Sequence, residues 1–182
     1  VTAEVEGSAA ALNAALKDAK VTDALTVTLT GTTATAKDLI ELATKTSLIV
    51  DASSIKTITG NAADVISSLS NTTLADNVAV TITGTVTIAD IAAIKAIAST
   101  GVIKATLEGS ATELATLTTS NSDLLTLKVT GTTATALELT TIDSKTSVVV
   151  NASAVKEITD NAANLKAMYA SKTISGLGNE AV

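Results

Sequence analysis

The residues with the most chemical potential are two serine–lysine pairs: Ser53 and Ser153 stand three positions before Lys56 and Lys156. At that spacing a lysine can serve as base to a serine nucleophile. The chain has no His and no Cys, so the usual triads are ruled out, and a Ser/Lys or carboxylate site is what remains. The pair recurs one hundred residues on, inside matched segments, and a position repeated in this way reads as structural. The acids Glu6, Asp51 and Glu108 fall on alternate strands of one expected face. Strand spacing puts them about 10 Å apart, too far to share one cation. No EF-hand loop or glycine-rich calcium nonapeptide occurs, and the glycines spell no phosphate loop. The expectation is no catalytic residue, no cofactor and no metal site. Asn71-Thr72-Thr73 and Asn151-Ala152-Ser153 match the glycosylation triplet, a common pattern that matters only in a secretory pathway.

The elements that hold these residues come from a repeat. GTTATAKDLIELATKTSLIVDASSIKTITGNAADV, from Gly31, returns as GTTATALELTTIDSKTSVVVNASAVKEITDNAANL from Gly131, ungapped and about half identical. Apolar positions are kept and surface positions vary, the signature of a repeated packing unit. Five alternating runs end in Gly: Val1 to Gly7, Leu25 to Gly31, Val78 to Gly84, Val102 to Gly109 and Leu124 to Gly131. Period two predicts a strand for each, with the glycines turning the chain in a left-handed conformation. Ala3, Val5, Val27, Leu29, Val80, Ile82, Ala105, Leu107, Leu127 and Val129 share the expected inner face. The outer face collects Glu4, Glu6, Thr28, Thr30, Thr81, Thr83, Thr106, Glu108, Lys128 and Thr130. Two further runs, Leu48 to Asp51 and Val148 to Asn151, put Ile49, Asp51, Val149 and Asn151 outward and lead into loops holding Ile55 and Ile58, or Val155 and Ile158. The candidate interaction face is therefore Thr28, Thr30, Asp51, Thr81, Thr83, Thr106, Glu108, Lys128, Thr130 and Asn151. Its outward Thr-x-Thr pairs are interrupted by Ile49, Asp51, Glu108 and Lys128, so ordinary strand preference explains them better than an ice-matching lattice.

Short helices follow the strands, each with one apolar stripe: Leu12 and Leu16, Leu39 and Leu42, Val65 and Leu69, Ile91 and Ile94, Leu114 and Leu117, Leu139 and Ile142, Leu165 and Met168. Five begin at capping-box spacing, in which a polar side chain accepts from a free N–H and an acid reaches back. The pairs are Thr35 with Asp38, Asn61 with Asp64, Thr87 with Asp90, Ser110 with Glu113 and Thr135 with Glu138. Connections this short fit only parallel neighbours, and such crossovers are right-handed. The expected fold is α/β: a right-handed parallel β/α solenoid, leucine-rich-repeat-like, of about seven strand-helix units with a superperiod of about 100 residues. The expected organisation is a single array over 1–182, an excerpt of a longer chain. Superrepeat copies span approximately 25–124 and 125–182, the second incomplete, preceded by a unit at 1–24.

Composition narrows the function. Net charge is −6, all basic residues are Lys, and Tyr169 is the one aromatic residue. A nucleic-acid surface needs a basic face with Arg forks or stacking rings, so nucleic acid is not an expected partner. The most apolar helix, Ile88 to Ala98, carries Asp90 and Lys95 and is too short to cross a bilayer, so no membrane insertion is expected. No signal peptide is visible. Without large rings, apolar area must be gathered from many small aliphatic contacts between stacked layers. Tyr169 and Met168 are expected to close the last helix against the next layer.

At DASSIKTITGNAADV, NASAVKEITDNAANL and YASKTISGLGNEAV the chain resembles the very long Ala/Thr-rich tandem-repeat proteins of marine cyanobacteria and their phages. The resemblance implies a segment of a large extracellular structural or adhesive protein at a cell or virion surface: a surface layer, filament, adhesin or fibre. It supplies no catalytic residues. It implies self-association as the main partnership, with a glycan or other surface ligand, or ice, as the alternative use of the threonine-bearing face.

Overall fold

The computed structural model describes residues 1–97 and 100–182. Among them are seven helices and thirteen strands, and the sheets are parallel throughout. No described helix is long and apolar enough to cross a membrane. The chain forms two compact units: Val1–Gly84 with Ala93–Ile103, and Thr85–Ala92 with Lys104–Val182.

The first unit runs β1 (Thr2–Gly7), α1 (Ala9–Ala15), β2 (Ala24–Leu29), β3 (Thr33–Thr35), α2 (Ala36–Ala43), β4 (Val50–Ala52), β5 (Thr57–Gly60), α3 (Ala62–Asn71), β6 (Thr72–Leu74) and β7 (Val78–Ile82). Its strands form two ladders, β1-β2-β4-β6 and β3-β5-β7. Helix α4 (Ile88–Lys95) and strand β8 (Thr100–Gly109) each contribute to both units. Ala98, the last residue of the apolar helix expected from the sequence, lies outside the described residues. The second unit continues with α5 (Ala111–Ala115), β9 (Leu124–Val129), β10 (Thr133–Thr135), α6 (Ala136–Asp143), β11 (Val150–Asn151), β12 (Glu157–Thr159), α7 (Ala162–Ala170) and β13 (Ile174–Ser175). Here β8, from Lys104, pairs with β9, then β11 and β13, while β10 pairs with β12.

The repeat is therefore richer than one strand and one helix. Between helices the chain usually makes two strands separated by a corner, and the corner passes it from one ladder to the other. Gly31 turns the first corner at φ 94°, and Asn77 turns the one before β7 at φ 62°, both in the left-handed region that glycine and asparagine tolerate. Asp51 turns another by accepting from Ser53 N–H at 3.0 Å, and Asn151 does the same for Ser153. Of the glycines that close the expected strands, Gly31 and Gly84 have positive φ, whereas Gly7, Gly109 and Gly131 keep ordinary backbone. The segments expected to be loops around Ile58 and Ile158 are the second strands β5 and β12, and both isoleucines are fully buried.

Helix starts follow the expected chemistry. Thr35, Asn61, Thr87, Ser110 and Thr135 each accept from the N–H three residues on. Glu113, Glu138 and Asp90 reach back to the cap N–H, completing three reciprocal boxes. Asp38 and Asp64 meet the cap side chain instead. The inner stripes are buried, with Leu39, Leu42 and Val65 in the first unit and Leu114, Leu139, Ile142 and Met168 in the second at full burial; Leu16, just past α1, and Leu165 are half-buried. Val27, Leu29, Val80, Ile82, Ala105, Leu107, Leu127 and Val129 are buried as their phase requires. Ala3 is exposed and Val5 half-buried, because β1 has a neighbour on one side only. Tyr169 is exposed too, with its hydroxyl 3.4 Å from Glu180, while Met168 is fully buried.

Candidate functional site

Parallel pairing sets outward side chains in rows across the ladders. In the first unit Glu6 lies beside Thr28, Thr28 beside Asp51, and Asp51 beside Thr73. The counterpart row in the second unit runs Glu108, Lys128, Asn151, Ser175. Five candidate residues, Thr28, Asp51, Glu108, Lys128 and Asn151, thus fall into two equivalent rows. Thr106, next to Thr126, lies one rung along. Thr30 and Thr130 follow their strands and extend the ladder, donating N–H to the carbonyls of Gly7 and Gly109 at 2.9 Å.

Thr81 and Thr83 do not join the row across β1, β2, β4 and β6. Strand β7 belongs to the other ladder, where Thr81 continues a rank with Thr59 and Thr35, and Thr83 donates to Gly60 O at 2.9 Å. The true counterpart of β4 in the next layer is Thr72–Leu74. Those three residues follow directly on α3, where the helical stripe masks their alternation.

Sequence reasoning missed this second threonine surface. Thr33, Thr35, Thr57 and Thr59, with Thr133, Thr135 and Thr159 as counterparts, line it. It forms a shallow recess of about 280 Å³ bounded by Ser8 and Asp38 in the first unit. The equivalent recess in the second unit, about 330 Å³, is bounded by Thr112, Glu138 and Glu157. The signal was available in the paired Thr-Ala-Thr and Thr-Ile-Thr triplets, each long enough for only three outward or inward positions.

The polar groups on these faces are already occupied in holding the backbone. Ser53 N–H holds the Asp51 carboxyl below its ordinary value, and the Thr135 N–H does the same for Glu138 against an opposing desolvation. Ser110 lowers Glu113 through its side chain and N–H, and Asn161 N–H lowers Asp160. Lys156 Nζ lies 3.4 Å from the main-chain carbonyl of Ser153, rather than on its hydroxyl. Lys128 and Glu108 form a surface pair at 3.2 Å, a contact worth about 0–1 kcal/mol. Among the described residues no three Asp, Glu, His or Cys side chains are grouped to hold a metal ion.

These shifts set a pH dependence. Carboxyls lowered on folding stabilise the protein above their unfolded values, here 3.8 for Asp and 4.5 for Glu, and that stabilisation is lost as pH falls through the folded values. The urea midpoint is expected to fall as pH drops through the carboxyl range. Glu138→Gln should make that acid limb shallower; an unchanged acid limb in the variant contradicts the assignment.

No protein-family model, curated protein or solved structure matches the chain.

Proposed function

We propose that the chain is a structural module of a large extracellular repeat protein, a right-handed parallel β/α solenoid that extends a surface polymer by stacking layers. The observation that carries this reading is the reuse of internal hardware one hundred residues apart while the outer face changes. Thr46 and Thr146 make the same buried backbone bonds, Asp51 and Asn151 the same corner, and Thr35 and Thr135 the same helix cap. Meanwhile Thr28 is exchanged for Lys128, Thr57 for Glu157 and Gly60 for Asp160. Selection for packing with an unconstrained surface is what a scaffold requires. The resemblance to Ala/Thr-rich surface repeats of marine cyanobacteria and their phages supports the same role.

A second reading, a recognition module for a glycan, a host surface or ice, is favoured by one observation: the rank Thr35, Thr59, Thr81 beside a recess that recurs in both units. Negative-stain imaging of the protein as its source produces it, with a glycan array on the purified chain, tests the pair. Fibres or sheets with an empty array support the scaffold. A dispersed particle whose glycan binding is lost in Thr59→Ala/Thr81→Ala overturns it in favour of recognition.

A further inference from the structure

Parallel pairing gives each unit an open sheet face, and the two faces differ in one direction. The outward positions of β1, β2, β4 and β6 correspond, through matched register, to those of β8, β9, β11 and β13. From the first face to the second, Thr2 gives way to Lys104, Glu4 to Thr106, Thr28 to Lys128 and Asp51 to Asn151. Each of these changes is toward positive charge. Elsewhere in the repeat the sign runs both ways: Asn164 replaces Asp64, but Leu137 replaces Lys37, Glu157 replaces Thr57 and Asp160 replaces Gly60. The first face is left with Glu4, Glu6 and Asp51 and no lysine, while the second carries Lys104 and Lys128 against Glu108 alone. Thr28 and Asp51 are half-buried and the rest of these side chains exposed. They project from the sheet plane, across the pairing direction, so a strand added at either edge would leave them outward. Each face also keeps an exposed hydrocarbon side chain at one matched position. Ile49 and Val149, two residues before Asp51 and Asn151, are 72% and 49% exposed. Threonine, present on the same faces at Thr26 and Thr126, would meet strand preference as well without leaving a hydrocarbon branch in water.

Building on the scaffold reading, we propose that the acidic face of the first unit packs, sheet on sheet, against the lysine-bearing face of the second unit in a second copy. Stacked sheets lie about 10 Å apart, which lets Ile49 meet Val149 while Lys104 and Lys128 reach Glu4, Glu6 or Asp51. Like faces do not match. Two first faces would set carboxylate against carboxylate, and two second faces lysine against lysine, a juxtaposition that excludes the wrong pairing. Four strands about 4.8 Å apart, with two or three outward residues each, present roughly 400 Å² a side, an interface of the small, transient class. The contact is therefore weak between two single chains, and it strengthens where many copies are linked in one surface assembly. Because its charges lie at the solvent-exposed rim, salt screens it.

Sedimentation velocity at millimolar concentration tests this on the full chain. The wild type should associate at low ionic strength, and about tenfold or more weakly in about 1 M salt, where the Debye length is about 3 Å. Glu4→Lys/Glu6→Lys makes both faces basic and Lys104→Glu/Lys128→Glu makes both acidic. All four positions are exposed, so the urea midpoints should stay near the wild-type value. Each variant alone should be monomeric, and their equimolar mixture should associate as the wild type does. Ile49→Ala should weaken association severalfold while leaving stability nearly unchanged. A second measurement does not depend on the charge reversals folding. The chain has no native cysteine, so Ile49→Cys and Val149→Cys chains, mixed and oxidised, should give the mixed disulfide above its statistical share. Association unchanged by salt or by either reversal, reversed chains that fail to associate when mixed, or a mixed disulfide at or below its statistical share overturns the docking. So does a wild-type monomer at millimolar concentration; a sulfated glycan bound on an array and released by Lys104→Glu/Lys128→Glu would then assign the second face to a polyanion instead. Association read in solution leaves the scaffold reading to stand or fall on imaging, so the two can fail separately.

Discussion

Replacing Thr146 by Val is expected to lower the free energy of unfolding by about 2–4 kcal/mol, because each buried group left without a partner costs about 1–3 kcal/mol. The Thr146 hydroxyl accepts from Leu125 N–H and Val148 N–H, both at 3.0 Å, and donates to Leu125 O at 2.7 Å. It is only 4% exposed, so water cannot take over those bonds. The side chain stands in for a ladder bond at the start of β9, where the chain entering β11 has not yet come into pairing distance. Thr46 makes the same three contacts, to Leu25 N–H, Leu48 N–H and Leu25 O, so Thr46→Val should cost a similar amount. Valine keeps the shape and removes the hydroxyl. Serine keeps the hydroxyl and removes one methyl group, a loss of about 1 kcal/mol. Urea unfolding of Thr146→Val beside Thr146→Ser separates the two contributions. A valine variant no less stable than the serine variant would show that the bridge contributes nothing, and with native stabilities of about 5–15 kcal/mol the expected loss is well above measurement error.

These two threonines also mark the boundary of what could be read from the sequence. Helix starts were legible because a cap and its acid lie three residues apart, so the bond is local: Thr35 with Asp38 and Thr135 with Glu138 needed no knowledge of the fold. The buried faces of β2, β8 and β9 were legible because each runs six residues or more, enough for period two to show. The corners were not, since an alternating run broken at Gly31 or Asp51 leaves three or four residues on the far side, and three residues cannot establish a period. That is why β3 and β10 went unrecognised, and with them the rank Thr35, Thr59 that Thr81 of β7 continues. Thr46 and Thr146 looked like two more surface threonines in a threonine-rich chain. Their partners are twenty-one residues back along the chain, and only the fold brings them together. The candidate face divides the same way: Thr28, Asp51, Glu108, Lys128 and Asn151 fell into rows because their strands are long or their corners repeat.

Truncating Ile58 to alanine is expected to cost about 2–5 kcal/mol, the range for emptying a packed core site that cannot fully collapse. The same substitution at Ile49, nine residues earlier in LIVDASSIKTI, is expected to cost less than about 0.5 kcal/mol, the range for exposed positions. The two isoleucines are alike in sequence hydropathy and opposite in environment: Ile49 is 72% exposed and Ile58 fully buried. Ile58 sits in the middle of β5, between Ala34 of β3 and Val80 of β7, and neither small neighbour can fill the space a lost side chain leaves. Ile158 has the same burial beside Ala134 in β12, so Ile158→Ala should fall in the same range. The pair of measurements at 49 and 58 therefore tests the two-ladder architecture itself. If the segment after Asp51 were a loop, as its sequence suggests, Ile58→Ala would cost little more than Ile49→Ala; with β5 packed inside a second ladder, the difference should exceed about 1.5 kcal/mol, and equal effects at the two sites would remove the second ladder along with the threonine surface it carries.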